Sequence, residues 1–310
     1  MKNVLIWYRT NALGDGIAWF PYIEEYRIKH GLGKIYVWSC WHELFRETYP
    51  SVIWNPDLSE MSIFDEVIRL GLGFSHLERT KSKLRFPSYT SIQQYASEIL
   101  GLEVFSEIKP RVHIKERYDK RKYKNVVSIG VHSTAQAKYW NNPNGWQEVI
   151  DFLNDEDYSV YSLDRYRIYG DGNNMMNDLP DGVIFEKERS IHEIISILSV
   201  SDFFIGLGSG LSWLAWALGI PVILISGFSH PVSEFQSNVF RVFNEDVCNS
   251  CFNKTKMAQI NWDRCPSKYK KKEIFECTKS IDSSDVISEI KKIMPIKKWY
   301  TTDDSVPFLM

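Results

Sequence analysis

Twice along this chain a short, unbroken apolar run gives way to a glycine-bearing turn and then to a stretch of helical period. Val4-Leu5-Ile6-Trp7-Tyr8 leads into a turn over Thr10 to Gly16, and Ile17 to His30 follows with apolar residues at helical spacing. Asn125 to Val131 (NVVSIGV) then starts the same rhythm afresh. A strand apolar at nearly every position is buried on both faces, which is the signature of a parallel sheet covered by crossover helices. Those crossovers are right-handed, so the chain is confined to α/β folds assembled from βαβ units.

The first set continues with a strand over Lys34 to Ser39, a helix over His42 to Tyr49, a strand over Glu66 to Leu70 and a helix over Ser91 to Leu100 that Gly101 ends. The second continues with helix Gly145 to Asn154, strand Ser159 to Leu163, helix Ile191 to Ser199, strand Asp202 to Gly206, helix Leu211 to Leu218 and strand Pro221 to Ser226. Between the sets, residues 114 to 124 are polar, basic and without apolar period. With no aromatic platform or base-reading helix beside them, they read as an exposed linker rather than a nucleic-acid patch. The expectation is two Rossmann-like units facing a cleft, 1–124 with the linker and 125–280, followed by a C-terminal helix (Ser283 to Ile293) and tail over 281–310. In such sheets ligands bind beyond the carboxyl ends of the strands.

Bulk properties exclude several classes. The formal net charge of −2 gives no global attraction to nucleic acid or anionic membranes. The apolar run before Asn11 and Asp15 is too short for a signal peptide. No stretch reaches the roughly 18 apolar residues a membrane span needs. A cytoplasmic protein is expected, and there clustered cysteines more often bind metal than form disulfides.

Three stretches carry chemistry. In FIGLGSGLSWLAWALG a strand, a glycine-rich turn and a helix place Gly208, Ser209, Gly210, Leu211 and Ser212 where free amides and the helix dipole can seat a phosphate. The spacing G-L-G-S-G fits neither the dinucleotide fingerprint nor a Walker loop. Upstream, Ser133, Thr134, Gln136 and Lys138 follow the first strand of the same unit and would face the same ligand. Lys138 could neutralise a departing diphosphate, or be an exposed surface lysine. Asp164 ends a strand where an acidic residue often takes a ribose hydroxyl. In the first unit Asp15 heads a helix at the cleft, placed either as a general base or as a plain N-terminal carboxylate.

Four of the five cysteines fall within residues 248–277. Cys248 and Cys251 form a C-x₂-C knuckle, Cys265 follows after thirteen residues and Cys277 after eleven more. Four thiolates so spaced can close a tetrahedral site for zinc or a rubredoxin-like iron. Such a site has no open position, so it orders the segment 246–279, which interrupts the βα rhythm as an insertion. Cys40 reads as a small buried residue.

ALGDGIAWFPYIEEYR resembles the N-terminal motif of the ADP-heptose transferases of the GT-B fold, and more closely that of the bacterial autotransporter O-heptosyltransferases. HSTAQAKYWNNPNGW, IGLGSGLSWLAWALGIPVILISGFSHPVSEF and the VCNSCFN, RCP and FECT elements are similar to the second family, over residues 4 to 280. The resemblance implies an inverting glycosyltransferase moving heptose from ADP-heptose, or a related sugar nucleotide, to Ser or Thr hydroxyls of an autotransporter adhesin in the cytoplasm. It implies Asp15 as base, Lys138 on the donor phosphates, Gly208 to Leu211 cradling the diphosphate and Trp140 in the donor cleft, with residues 1–124 on the acceptor side. It also implies iron in a structural four-cysteine finger, no divalent metal in the chemistry and a homo-oligomer. Family members carry a β-rich region before the motif, whereas this chain begins almost at its first strand. Another nucleotide sugar or acceptor, or a metal-stapled binding module, remains open on the residues alone.

Overall fold

The continuous apolar runs become the central strands of two parallel sheets. The structure, a computed structural model, describes residues 2–8, 10–71, 88–103, 106–171, 174–255, 265 and 274–300. The first sheet contains β1 (Val4–Tyr8), β2 (Ile35–Trp38), β3 (Val52–Trp54) and β4 (Glu66–Leu70) in the order β3-β2-β1-β4. The second draws on β5 (Val126–Gly130) and β6 (Ser159–Ser162). A separate antiparallel hairpin of β7 (Ile168–Asp171) and β8 (Asn174–Asp178) follows. The sheet is completed by β9 (Ile184–Phe185), β10 (Phe203–Leu207), β11 (Val222–Ile225) and β12 (Val239–Val242), in the order β12-β11-β10-β5-β6-β9. Both sheets are parallel throughout, and β5, β10 and β11 are buried at every residue.

The helices are α1 (Leu13–Lys29), α2 (Ile92–Ile99), α3 (Gly145–Asp155), α4 (Ile191–Leu198), α5 (Gly210–Ala217), α6 (Cys251–Lys254), α7 (Glu276–Lys279) and α8 (Ser283–Tyr300). In α1 every residue from Gly16 to Ile23 is buried, and in α5 every residue from Ser212 to Trp216. Helices apolar on all sides lie inside a protein. Here each has the other as its cover: α1 packs against α5, and Trp19, Phe20 and Ile23 share one core with Trp213, Trp216 and Phe235. The two units therefore meet through apolar helices that each would otherwise leave exposed.

Several local expectations are corrected. The first helix begins at Leu13, so Gly14, Asp15 and Gly16 form its first turn instead of a preceding loop. Instead of a helix over 42 to 49 there is one 3₁₀ turn, His42–Leu44. The Thr48 hydroxyl donates to the Phe45 carbonyl (3.1 Å) and the Arg111 carbonyl (2.6 Å), holding the segment in successive turns. The edge strands β3, β9 and β12 are additions to the expected set, because runs of two to four residues are too short to show a period. Cys40 is exposed, since Ser39 turns inward and the Trp41 indole is tied to the Asn11 carbonyl (3.0 Å). The tail 301–310 and residues 256–264 and 266–273 of the cysteine segment lie outside the described residues. Among the described residues no helix is long and apolar enough to cross a membrane.

Candidate active site

Strand order reverses between β1 and β4 in the first sheet and between β5 and β10 in the second. Crevices open at such points beyond the carboxyl ends of the strands. Asp15 lies in the first turn of α1 after β1, Lys138 in the loop after β5, and residues 208–212 in the turn and helix start after β10.

Glycine brings these parts together. A Cβ on Gly210 would lie 2.7 Å from the Leu13 Cβ and 3.0 Å from the Gly14 nitrogen, and one on Gly14 would lie 3.1 Å from the Trp213 ring. The first turns of α1 and α5 thus abut backbone to backbone. Neither N-cap residue, Ala12 or Ser209, makes a side-chain capping bond. First-turn amides left unpaired within a helix carry the positive end of its dipole. Two such ends, side by side, make a seat for an anion.

Asp15 lies half-buried in the first turn of α1, where the Thr10 hydroxyl donates to its Oδ2 at 3.3 Å and the Ala12 amide steadies that hydroxyl at 3.0 Å. Burial pushes its carboxyl from 3.8 up to about 6, with the Lys138 charge and the Thr10 bond pulling the other way. A carboxylate in that range can accept a proton near neutral pH, as a general base must. Burial also lowers the Lys138 ammonium, against the opposing charges of Asp15 and Glu234. Glu234 is buried, and desolvation raises its carboxyl despite Arg241, Ser229 and Lys138. Asp15, Lys138 and Glu234 are thus electrostatic neighbours across the join of the units.

Buried polar atoms are normally paired. Among the described residues, Tyr8 Oη, Ser133 Oγ, Ser226 Oγ and Glu234 Oε2 are buried without a hydrogen-bond partner. Tyr8 ends β1, Ser133 follows β5 and Ser226 follows β11, so all lie at the carboxyl ends of strands. Such a set suits an enclosed polar ligand.

The remaining expected residues divide. Gly208, Ser209, Gly210 and Leu211 are half-buried at the mouth of the turn, and Thr134 is exposed. The Gln136 amide donates to Asn141 Oδ1 (2.9 Å) inside the loop. Ser212 is fully buried and its hydroxyl donates to the Leu207 carbonyl (2.5 Å), leaving only its amide for a ligand. Trp140 belongs to the core: it is 2% exposed, packs edge-on against Trp146 at 5.3 Å and donates its indole N–H to the Ile281 carbonyl (3.0 Å). The Asp164 oxygens accept the Val131 and His132 amides (2.8 Å each) and the Ser162 hydroxyl (3.0 Å). It braces the loop that carries Lys138 and is 5% exposed. Sequence reasoning missed Glu234 and Tyr8; a carboxylate just past β11, beside the phosphate turn, was the available signal.

The four cysteines are neighbours. Burial and the other thiols' charges push Cys251 up to about 11 and Cys277 up to about 12. The Phe275 amide donates to Cys265 Sγ at 3.0 Å. Cys251 and Cys277 each lie in a short helix entered through a left-handed residue, Ser250 (φ 61°) and Phe275 (φ 57°). Still, among the described residues no three His, Cys, Asp or Glu side chains close to metal-holding geometry.

The sequence profile of glycosyltransferase family 9 (heptosyltransferase) matches residues 93–260. The autotransporter heptosyltransferase Aah of Escherichia coli is 37% identical over 302 residues, covering 94% of this chain and 74% of Aah. This chain belongs to glycosyltransferase family 9, among the autotransporter heptosyltransferases. Its fold is the α/β glycosyltransferase fold. The crystal structure of TibC, a dodecameric iron-containing heptosyltransferase in complex with ADP-D-β-D-heptose, superposes with a TM-score of 0.84 at 32% identity, over 95% of this chain and 77% of that one. BimC of Burkholderia thailandensis, named an inactive autotransporter heptosyltransferase, is 29% identical over 310 residues, covering 94% of this chain and 69% of BimC. Membership thus makes the chain a glycosyltransferase by family, and the site above is what speaks for turnover.

Proposed function

We propose that this chain is an inverting glycosyltransferase that moves a heptose from ADP-heptose onto Ser or Thr hydroxyls of a bacterial autotransporter-type protein. The apposition of Asp15 with Lys138 and the uncapped start of α5, across the Gly14–Gly210 contact, carries this reading. Asp15 takes the proton of the acceptor hydroxyl as its oxygen bonds to the anomeric carbon from the face opposite ADP. The bond from that carbon to the diphosphate oxygen breaks, and ADP departs with the electron pair. Lys138 and the amides at 210–212 meet the charge that develops, so the step needs no divalent cation. Ser133, Thr134 and Gln136 would border the donor from the loop after β5. The reaction belongs in the cytoplasm, with residues 1–124 on the acceptor side, and the chain assembles with copies of itself as TibC does.

Titration calorimetry with ADP-heptose, ADP-glucose, UDP-glucose and GDP-mannose tests the donor. ADP-heptose is expected to bind at least about tenfold more tightly than the others, a ratio that sugar-hydroxyl contacts readily supply. Equal binding of all four would sink the donor assignment.

Cys248, Cys251, Cys265 and Cys277 would hold one iron, since four clustered thiols are a sulfur donor set that iron accepts. Bound there, the metal supplies structure by ordering residues 246–279. Replacing Cys251 by Ser is expected to cut iron from about one atom per chain to a small fraction and to lower the melting temperature. Metal analysis finding full occupancy in that variant would remove the site.

A further inference from the structure

We propose, building on that reading, that Glu234 contacts the donor: its carboxylate, set behind Gly208, accepts a hydrogen bond from a hydroxyl of the transferred sugar. Only 4% of Glu234 is exposed, and its Oε1 holds the Ser229 hydroxyl at 2.7 Å. Its Oε2 is buried with no hydrogen-bond partner among the described residues. Arg241 Nη1 forms an ion pair with it at 4.0 Å, and that nitrogen is likewise without a hydrogen-bond partner. A buried carboxylate oxygen with no donor is costly, so a site that keeps one has a donor arriving from elsewhere.

The phosphate turn is shaped around this group. A Cβ on residue 208 would lie 2.7 Å from Glu234 Oε1, so glycine there lets the carboxylate approach the turn directly. The segment bearing it is fixed in advance. Asn253, 1% exposed, accepts the His230 amide (2.8 Å) on Oδ1 and donates to Ser233 Oγ (2.9 Å) and the Ser88 carbonyl (2.8 Å) through Nδ2. The His230 ring in turn accepts the Val232 amide (3.2 Å), closing the 3₁₀ turn Pro231–Ser233 that leads into Glu234. A carboxylate repels phosphate and attracts hydroxyl protons. Beside the diphosphate seat, to which the transferred sugar is attached, it therefore meets a hydroxyl of that sugar and not the phosphates. Lys138 and the helix starts hold the anion, while Glu234 distinguishes a sugar-bearing nucleotide from a bare one.

Calorimetry of ADP and ADP-heptose binding to the wild-type chain, Glu234→Gln and Glu234→Asp separates the roles. Both variants are expected to lose about tenfold or more in ADP-heptose affinity while ADP affinity stays within about twofold. Glu234→Asp keeps the charge beside Arg241 but withdraws it from the turn, so it answers the question should the Gln variant fold poorly. A parallel loss for both ligands would place Glu234 on the shared nucleotide or in the Arg241 pairing, and unchanged affinity for both would remove the contact; either overturns this inference and leaves the transferase standing. Wild-type chain that binds ADP-heptose no better than ADP would overturn the donor reading and this inference together.

Discussion

Replacing Asp15 by Asn is expected to lower kcat by about 10²–10⁴ while leaving ADP-heptose affinity within about twofold, because a positioned base acts in the transition state and not in donor binding. The same substitution is expected to stabilise the fold above about pH 6. Burial holds the Asp15 carboxyl at about 6, above its ordinary 3.8, so the folded chain binds that proton more tightly than the unfolded one. Stability from this group is then full below its unfolded pKa and is lost as pH rises through about 6. The loss is on the order of 2–3 kcal/mol at neutral pH. Asn carries no charge and avoids it. Thermal melts of the two proteins should therefore coincide near pH 4 and separate by several degrees near pH 8. In wild type, kcat/KM should climb with pH and level off above about 6, as Asp15 gives up its proton. Residual turnover above about a tenth of wild type would contradict the base, given what such groups contribute.

Replacing Lys138 by Met, which keeps most of the buried stem, is expected to lower kcat by about 10²–10³, the usual cost of deleting one group that stabilises developing charge. Donor affinity should fall with it, because the ammonium faces the diphosphate before and after the bond breaks. A second effect is diagnostic. The Lys138 charge lowers the Asp15 carboxyl, so its removal must raise that group further. The rising limb of the pH–rate profile should therefore move above about 6 in the variant. A slower enzyme with an unmoved limb would mean that the two side chains do not share one site.

The parts of this site that depend on backbone are legible in the amino-acid sequence. Asp15 and the 208–211 turn follow strands whose unbroken apolar runs make them central, and the crevice beside a central strand follows from that alone. What side chains do within the fold is less legible. Gly14 and Gly16 read as turn residues, but helix α1 needs them because Gly210 and Trp41 press against its first turn, a demand from distant parts of the chain. Trp140 sits in a loop between two cleft-facing segments, and its residue type says nothing about direction; its ring turns inward on Trp146. Asp164 lies where an acidic group meets a ribose in related folds, yet the amides of Val131 and His132 claim its oxygens first. Glu234 shows in the sequence only as a carboxylate past β11; its burial is not legible there, because Gly208, Ser229 and Arg241 meet it only in the fold.

The most direct test of the account is transfer itself. Purified chain is incubated with ADP-heptose and an autotransporter passenger domain, and the passenger is read by intact mass and by fragmentation that locates the modified residue. The account predicts heptose-sized mass steps on Ser or Thr side chains, present with wild-type chain and absent with Asp15→Asn. An unmodified passenger in the presence of chain that binds ADP-heptose would contradict the acceptor assigned here, and equal modification by both proteins would contradict the chemistry.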